Sequence, residues 1–177
     1  MLYTRKGDNG MSGLFGTKER FPKESPLYEA LGTLDELNSL LGLCRARAKN
    51  LKDKVDIPSE IERGQECLFI VQAELAGAGD SVSQTEVKEL EKAIGQIEDL
   101  IKNPHAFVIP GATELSAWCD YARAVARRAE REVIRATSMR NISPESRAYL
   151  NRLSSFLYAL ARYAATREGV KELSPSY

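Results

Sequence analysis

Histidine and cysteine are scarce in this 177-residue chain, which has one histidine, His105, and three cysteines, Cys44, Cys67 and Cys119. An odd number of thiols with no C-x-x-C pair argues against a disulfide framework and against a zinc site. Each cysteine is instead expected on a helix as a small buried residue. A single histidine leaves no E-x-x-H pair for a di-iron bundle and no Ser–His–Asp set. No G-x-x-x-x-G-K-[ST] occurs, which excludes an ordinary P-loop.

An excess of charge is also lacking. Lys plus Arg and Asp plus Glu are 25 each, for a formal net charge of zero, where a general nucleic-acid binder carries a basic surplus. No stretch approaches the roughly 18 apolar residues of a spanning helix, and the opening MLYTRKGD has no apolar signal-peptide core. Together these absences lead to the expectation of a cytoplasmic protein with neither membrane nor nucleic-acid partners. The length suits one domain that buries its own core without staples.

What is present is helical periodicity. From Ser25, a candidate N-cap before Pro26, Leu27, Leu31, Leu34, Leu37, Leu41 and Cys44 recur at spacings of three and four. DKVDIPSE breaks this pattern. A second helix is predicted over about Ser59–Ala78 on Ile61, Leu68, Val71 and Leu75, and a third over about Glu86–Lys102 on Val87, Leu90, Ile94, Ile97 and Ile101. NPHAFVIPGAT interrupts again. A fourth helix follows over roughly Thr113–Ser138 and a fifth over about Pro144–Gly169. No strand is predicted with conviction, since FVI at 107–109 is flanked by prolines. Short connections suit antiparallel neighbours. The expected fold is all-α, a five-helix antiparallel bundle over residues 25–169, within one domain spanning 1–177, with an N-terminal segment 1–24 and a tail 170–177.

Three places could carry chemistry. TRKGDNG, residues 4–10, packs two glycines, cations and a hydroxyl into a segment that cannot be a helix. Glycine lets main-chain N–H groups converge on a ligand, and the cations suit a phosphate chain. The alternative is a frayed terminus. ELSAWCDYARAVARRAEREVIR holds the densest signal. Arg123, Arg127 and Arg131 form a stripe along the edge of its apolar face, with Glu130 beside them and Arg128 pointing elsewhere. Three guanidiniums within two turns call for something anionic among them, unless the face is simply solvated. In the first helix Asp35 lies beside the leucine stripe, where a half-buried carboxylate wants a cation. Asn151 in the fifth helix sits in an apolar neighbourhood and needs partners.

TRKGDNGMS, FPKESPLYEALGTLDELNSLLG, FVIPGATELSAWCDYARAVARRAERE and LNRLSSFLYALARYAA occur in this order. The set resembles the ATP:cob(I)alamin adenosyltransferases of the trimeric five-helix type, over nearly the whole chain. T-x-x-G-D-x-G, G-T-x-D-E-L-N-S, R-R-A-E-R and L-N-R-L-S are jointly specific. The resemblance implies a homotrimer with active sites between subunits. Thr4, Arg5, Lys6, Gly7, Ser12, Gly13 and Lys23 would wrap the phosphates of ATP. Arg127, Arg128, Ala129, Glu130 and Arg131 would contact ATP from the fourth helix, and Asn151 from the fifth. Mg²⁺ would bridge phosphate oxygens, with no protein ligand set assigned. Asp35 and Arg123 match the family's inter-subunit ion pair. Phe107 matches the aromatic that faces the corrin ring of cobalamin, although it could instead plug the bundle end.

The pattern is broken at Asp120, where the family often has histidine, at Ala112 in place of the second glycine of PGG, and at Ser155 in place of an aspartate. These changes cluster towards the corrin side and bear on corrinoid preference more than on ATP. The implied reaction is displacement at C5′ of ATP by cob(I)alamin, which releases triphosphate. The corrinoid is the nucleophile, so no protein base is needed, and positioning and charge stabilisation remain. A reductase or an adenosylcobalamin-dependent enzyme would be a transient partner. The competing readings are a non-catalytic nucleotide-binding bundle acting as sensor or scaffold, and a nucleic-acid binder using the arginine stripe.

Overall fold

The computed structural model describes residues 3, 5–14, 18–49, 55–101 and 106–176. Thr4 and His105 lie outside the described residues, as does Lys102 at the expected end of the third helix. The described elements are a short hairpin, β1 (Met11–Gly13) and β2 (Arg20–Pro22), and five helices: α1 (Pro26–Ala48), α2 (Ile57–Ala76), α3 (Gln84–Glu98), α4 (Glu114–Ala136) and α5 (Pro144–Arg167).

The helices begin and end where local chemistry dictates. Asp56 caps α2 by accepting from the Ser59 N–H, and Gly77 ends it at φ 94°, a left-handed angle that glycine adopts without strain. Ser83 and Glu86 form a capping box, which starts α3 two residues before the expected Glu86. Thr113 and Ser116 do the same for α4. Ser143 caps α5 ahead of Pro144. Ser25 stands at the N-cap of α1 as expected, but its hydroxyl makes no capping bond, leaving Pro26 in the first turn as the start signal.

Packing runs in the order α2–α1–α4–α5–α3, with α2 and α3 touching only lightly. The middle of this row is therefore α1, α4 and α5, the helices that carry the candidate residues. Leu34, Leu37, Leu41, Leu68, Leu150, Leu153 and Phe156 fill the core between them, each contributing about 1.5–3 kcal/mol on burial. The three cysteines are buried free thiols on α1, α2 and α4, as their spacing suggested. Glu74 of α2 accepts from the Ser143 N–H at 2.6 Å and the Ser146 hydroxyl at 2.5 Å, which pins the start of α5 to α2.

The hairpin was not foreseen. Met11 pairs with Pro22, Ser12 with Phe21 and Gly13 with Arg20 in antiparallel register. Three-residue strands are too short for period-two alternation to show. They are held by tertiary contacts instead. Phe21 packs against the core and beneath the Arg140 guanidinium at 5.8 Å, and Arg140 forms an ion pair with Glu19.

Candidate functional site

The N-terminal segment folds as a cradle. Asp8 N–H donates to the Arg5 carbonyl and Gly10 N–H to the Gly7 carbonyl, giving two successive turns, and Lys23 N–H donates to the Gly10 carbonyl at 2.8 Å. Gly10 has φ 78° and Arg5 φ 58°, so the chain doubles back through left-handed angles. Arg20 clamps the result, donating to the Lys6 carbonyl at 2.6 Å and the Met11 carbonyl at 2.9 Å. A Cβ on Gly7 would come within 3.1 Å of Lys23 Nζ, so the absent side chain lets that ammonium close over the turn. The cleft is about 390 Å³, lined by Lys6, Gly7, Met11, Ser12, Gly13, Leu14 and Arg20. Lys6, Gly7, Ser12, Gly13 and Lys23 are thus brought together as expected. Arg20 was missed: it is one of several cations around the turn, and only the hairpin register aims it inward.

The α4 stripe is split by its neighbours. Arg127 lines a cleft of about 300 Å³ with Arg123, Glu98, Ser155 and Tyr158. Arg131 is exposed further along. Glu130 accepts from the Asn151 amide at 2.9 Å, and Arg152 donates to the Asn151 side-chain oxygen at 3.1 Å; Asn151 is itself exposed, which corrects the expectation of an apolar neighbourhood. Arg128 pairs with Glu36 of α1, in keeping with its different direction. Ala129 is fully buried. Its methyl group faces the core of the protomer. The expectation that Asp35 is half-buried is also corrected: at one residue past the buried Leu34, its side chain faces solvent within the protomer.

Beside this cleft, and sharing Arg123 and Tyr158 with it, lies a cavity of about 510 Å³ lined by Ala106, Phe107, Val108, Asp120, Arg123, Tyr158 and Arg162. Phe107 is 79% exposed at its rim, so it plugs no core in the protomer. The floor is a buried ion pair that the sequence reading missed. Arg162 donates to both carboxylate oxygens of Asp120, at 2.6 and 3.4 Å, and through Nε to Glu172 at 2.6 Å. The side chains of Arg162 and Asp120 are 3% and 4% exposed. Burial alone lowers the Arg162 pKa, but the hydrogen bond and charge of Asp120, with Glu172, outweigh it and hold the guanidinium above its ordinary range. Arg162 also lies 4.9 Å over the Tyr158 ring. A signal was available: an arginine in FLYALARYAA and an aspartate in WCDYAR both fall on apolar faces, where a charge demands a partner.

Asp120, where histidine is frequent in the resembling family, is thus the counter-charge of Arg162. Arg123 Nε approaches Asp120 at 3.7 Å, too far for a hydrogen bond, and is a buried donor without a hydrogen-bond partner among the described residues. Ser155 lines the Arg127 cleft, and Ala112 is half-buried ahead of α4. No group of three His, Cys, Asp or Glu residues that could hold a metal occurs among the described residues, and no described helix is long and apolar enough to cross a membrane.

The family model for cobalamin adenosyltransferase matches residues 2–164. Among curated proteins, the chain is 38% identical over 168 residues to the corrinoid adenosyltransferase PduO of Salmonella typhimurium, covering 91% of this chain and 48% of that protein. It is 36% identical over 176 residues to a corrinoid adenosyltransferase of Citrobacter freundii, covering 96% and 97%. It therefore spans about half the length of the Salmonella relative and nearly all of the Citrobacter one. A variant of a PduO-type ATP:corrinoid adenosyltransferase from Lactobacillus reuteri, solved with cobalamin and ATP, superposes with a TM-score of 0.88 at 27% identity, covering 99% of this chain and 96% of that one.

Proposed function

The chain belongs to the cobalamin adenosyltransferase family, and on that premise we propose that it transfers the 5′-deoxyadenosyl group of ATP to cob(I)alamin, giving adenosylcobalamin and triphosphate. The observation that carries the reading is the presence on one chain of a cationic, glycine-built cradle and an arginine cleft that opens beside a cavity rimmed by Phe107.

Among the described clefts none is lined by both the cradle and Arg127. A complete site therefore calls for a second copy, with the cradle of one subunit facing the arginine stripe of the next in a homotrimer. Exposed Asp35 and the half-buried guanidinium of Arg123 carry opposite charges and are a complementary pair for that junction.

In the reaction cobalt of cob(I)alamin attacks C5′, the C5′–O5′ bond breaks and its electron pair leaves with triphosphate. No proton moves. Lys6, Arg20 and Lys23 from one side and Arg127 and Arg131 from the other hold the phosphates in line and stabilise the developing charge. Bound Mg²⁺ would add charge neutralisation at the phosphate oxygens. Glu130 is the carboxylate on that edge, but the Asn151 amide nitrogen faces it and the Asn151 oxygen accepts from Arg152, so the described residues offer no preformed protein ligand set for such an ion. Phe107 presses an apolar ring against the lower corrin face and disfavours axial ligation before reduction. Reduction requires a donor, so a reductase is a transient partner and an adenosylcobalamin-dependent enzyme a recipient. Three free thiols suit the reducing cytoplasm.

The test is anaerobic. Chemically reduced cobalamin, ATP and Mg²⁺ are mixed with the protein and the absorbance is followed. Growth of the adenosylcobalamin spectrum is expected, and its absence would put the nucleotide-binding scaffold ahead.

A further inference from the structure

The C-terminal segment beyond α5 is fastened at two points. Glu172 accepts from Arg162 Nε at 2.6 Å, with Arg162 itself locked by Asp120 beneath it. One residue on, the Leu173 carbonyl accepts from the Ile109 N–H at 2.8 Å. Ile109 is two residues from Phe107, in a segment that belongs to no helix or strand. Phe107, Ile109 and Leu173 are 79%, 47% and 66% exposed, so apolar packing within the protomer does little to hold this segment. Among the described residues, a backbone hydrogen bond ties it to a tail that is itself held by a buried guanidinium. The charges alternate along the whole path: Arg123, Asp120, Arg162, Glu172. Each interior member has an opposite charge on both sides, which is the condition for holding charges in a dry site.

We propose that Asp120, Arg162 and Glu172 are positioning residues for the Phe107 segment, acting through the Leu173–Ile109 hydrogen bond to fix the aromatic ring at the cavity rim. The proposal rests on the adenosyltransferase reading for its functional consequence, but its structural half does not. Phe107 touches the corrinoid, and the three charged residues act on it from behind. A ring displaced by about 1 Å at such a position loses up to roughly a hundredfold in the step it serves.

The test uses the full-length protein and Glu172→Gln, which alters the outermost member and leaves the buried Asp120–Arg162 pair intact. A chain ending at Val170, which lacks both fastening points, is the second variant. Amide hydrogen exchange at Ile109 should quicken by about tenfold or more in both, since a tail freed from Arg162 no longer protects it. Adenosylation from cob(II)alamin with a mild reductant should fall roughly tenfold, with ATP affinity kept. The deficit should shrink when cob(I)alamin is prepared beforehand, and Glu172→Asp should recover part of the rate. In a Phe107→Ala background the further loss from Glu172→Gln should vanish, as expected for residues acting through one another. Unchanged Ile109 exchange, or an undiminished Glu172→Gln loss in the Phe107→Ala background, overturns the proposal. If the wild type makes no adenosylcobalamin, the functional reading fails, and the exchange result still decides whether the tail holds the segment.

Discussion

Replacing Asp120 by Asn leaves the Arg162 guanidinium, 3% exposed, without its main counter-charge. Removing one partner of a buried pair costs about 3–5 kcal/mol, because the remaining charge is neither hydrated nor paired. Two features place this case at the low end. Glu172 still accepts from Arg162 Nε at 2.6 Å, and its side chain is 15% exposed, so some water reaches that side. Asparagine also keeps the volume and one acceptor oxygen. A loss of about 3 kcal/mol is expected, which for a chain of this size lowers Tm by about 6–12 °C. The assay is thermal unfolding followed by circular dichroism at one fixed protomer concentration, because assembly shifts Tm by mass action. The loss should persist at high salt, since buried pairs are poorly screened. The double replacement Asp120→Leu with Arg162→Met, which removes both charges, should regain most of the stability. An Asp120→Asn protein melting within about 2 °C of wild type would refute the reasoning, since 1 kcal/mol already shifts Tm by that much.

Asp35→Ala should weaken the trimer in sedimentation, with partial recovery when the charges of Asp35 and Arg123 are exchanged; a wild type that sediments as a monomer at micromolar concentration would sink the junction. Arg127→Ala removes a charge-assisted contact worth roughly 1.5–3 kcal/mol, or about tenfold to more than a hundredfold in ATP affinity, and deleting residues 1–10 should act in the same direction while the helical circular dichroism stays intact; calorimetric ATP titrations unchanged in both would remove the cradle from the site. Phe107→Ala should slow adenosylation from cob(II)alamin far more than from preformed cob(I)alamin, whereas a lower melting temperature with proportional loss of ATP binding would mark it as a packing residue. Burial holds the Cys67 thiol and the Tyr149 phenol above their ordinary ranges, and the hydrogen bond that the Cys119 thiol donates to Cys44, with burial, does so for Cys119. In each the folded state keeps its proton after the unfolded chain has released it, so this stability is full below about pH 8.5 for the thiols and about pH 10 for the phenol and declines as pH rises towards the folded values. Denaturant midpoints should hold level up to about pH 8 and fall beyond about pH 9; a midpoint still level at higher pH would contradict the assignment.

The sequence by itself determined the helices, because their causes are local. Leucines at spacings of three and four, Pro26 and Pro144 in first turns, and Ser83, Thr113 and Ser143 before apolar runs act within a few residues. The same locality made the cradle legible: glycines and cations in TRKGDNG state a backbone preference and a charge on the spot. Tertiary structure alone decided which residues meet. The hairpin exists because Phe21 and Arg140 come together over a separation no short-range pattern encodes, and its register turns Arg20 inward. Asp120 and Arg162 stand 42 residues apart, and each read singly is a charge on an apolar face. Only the packing of α4 on α5 makes them one neutral unit, whose desolvation is offset by mutual attraction. The place of Phe107 was settled in the same way, since a residue in an irregular segment has no periodicity to reveal which surface it faces. The tertiary structure leaves it 79% exposed at the rim of a cavity instead of in the core.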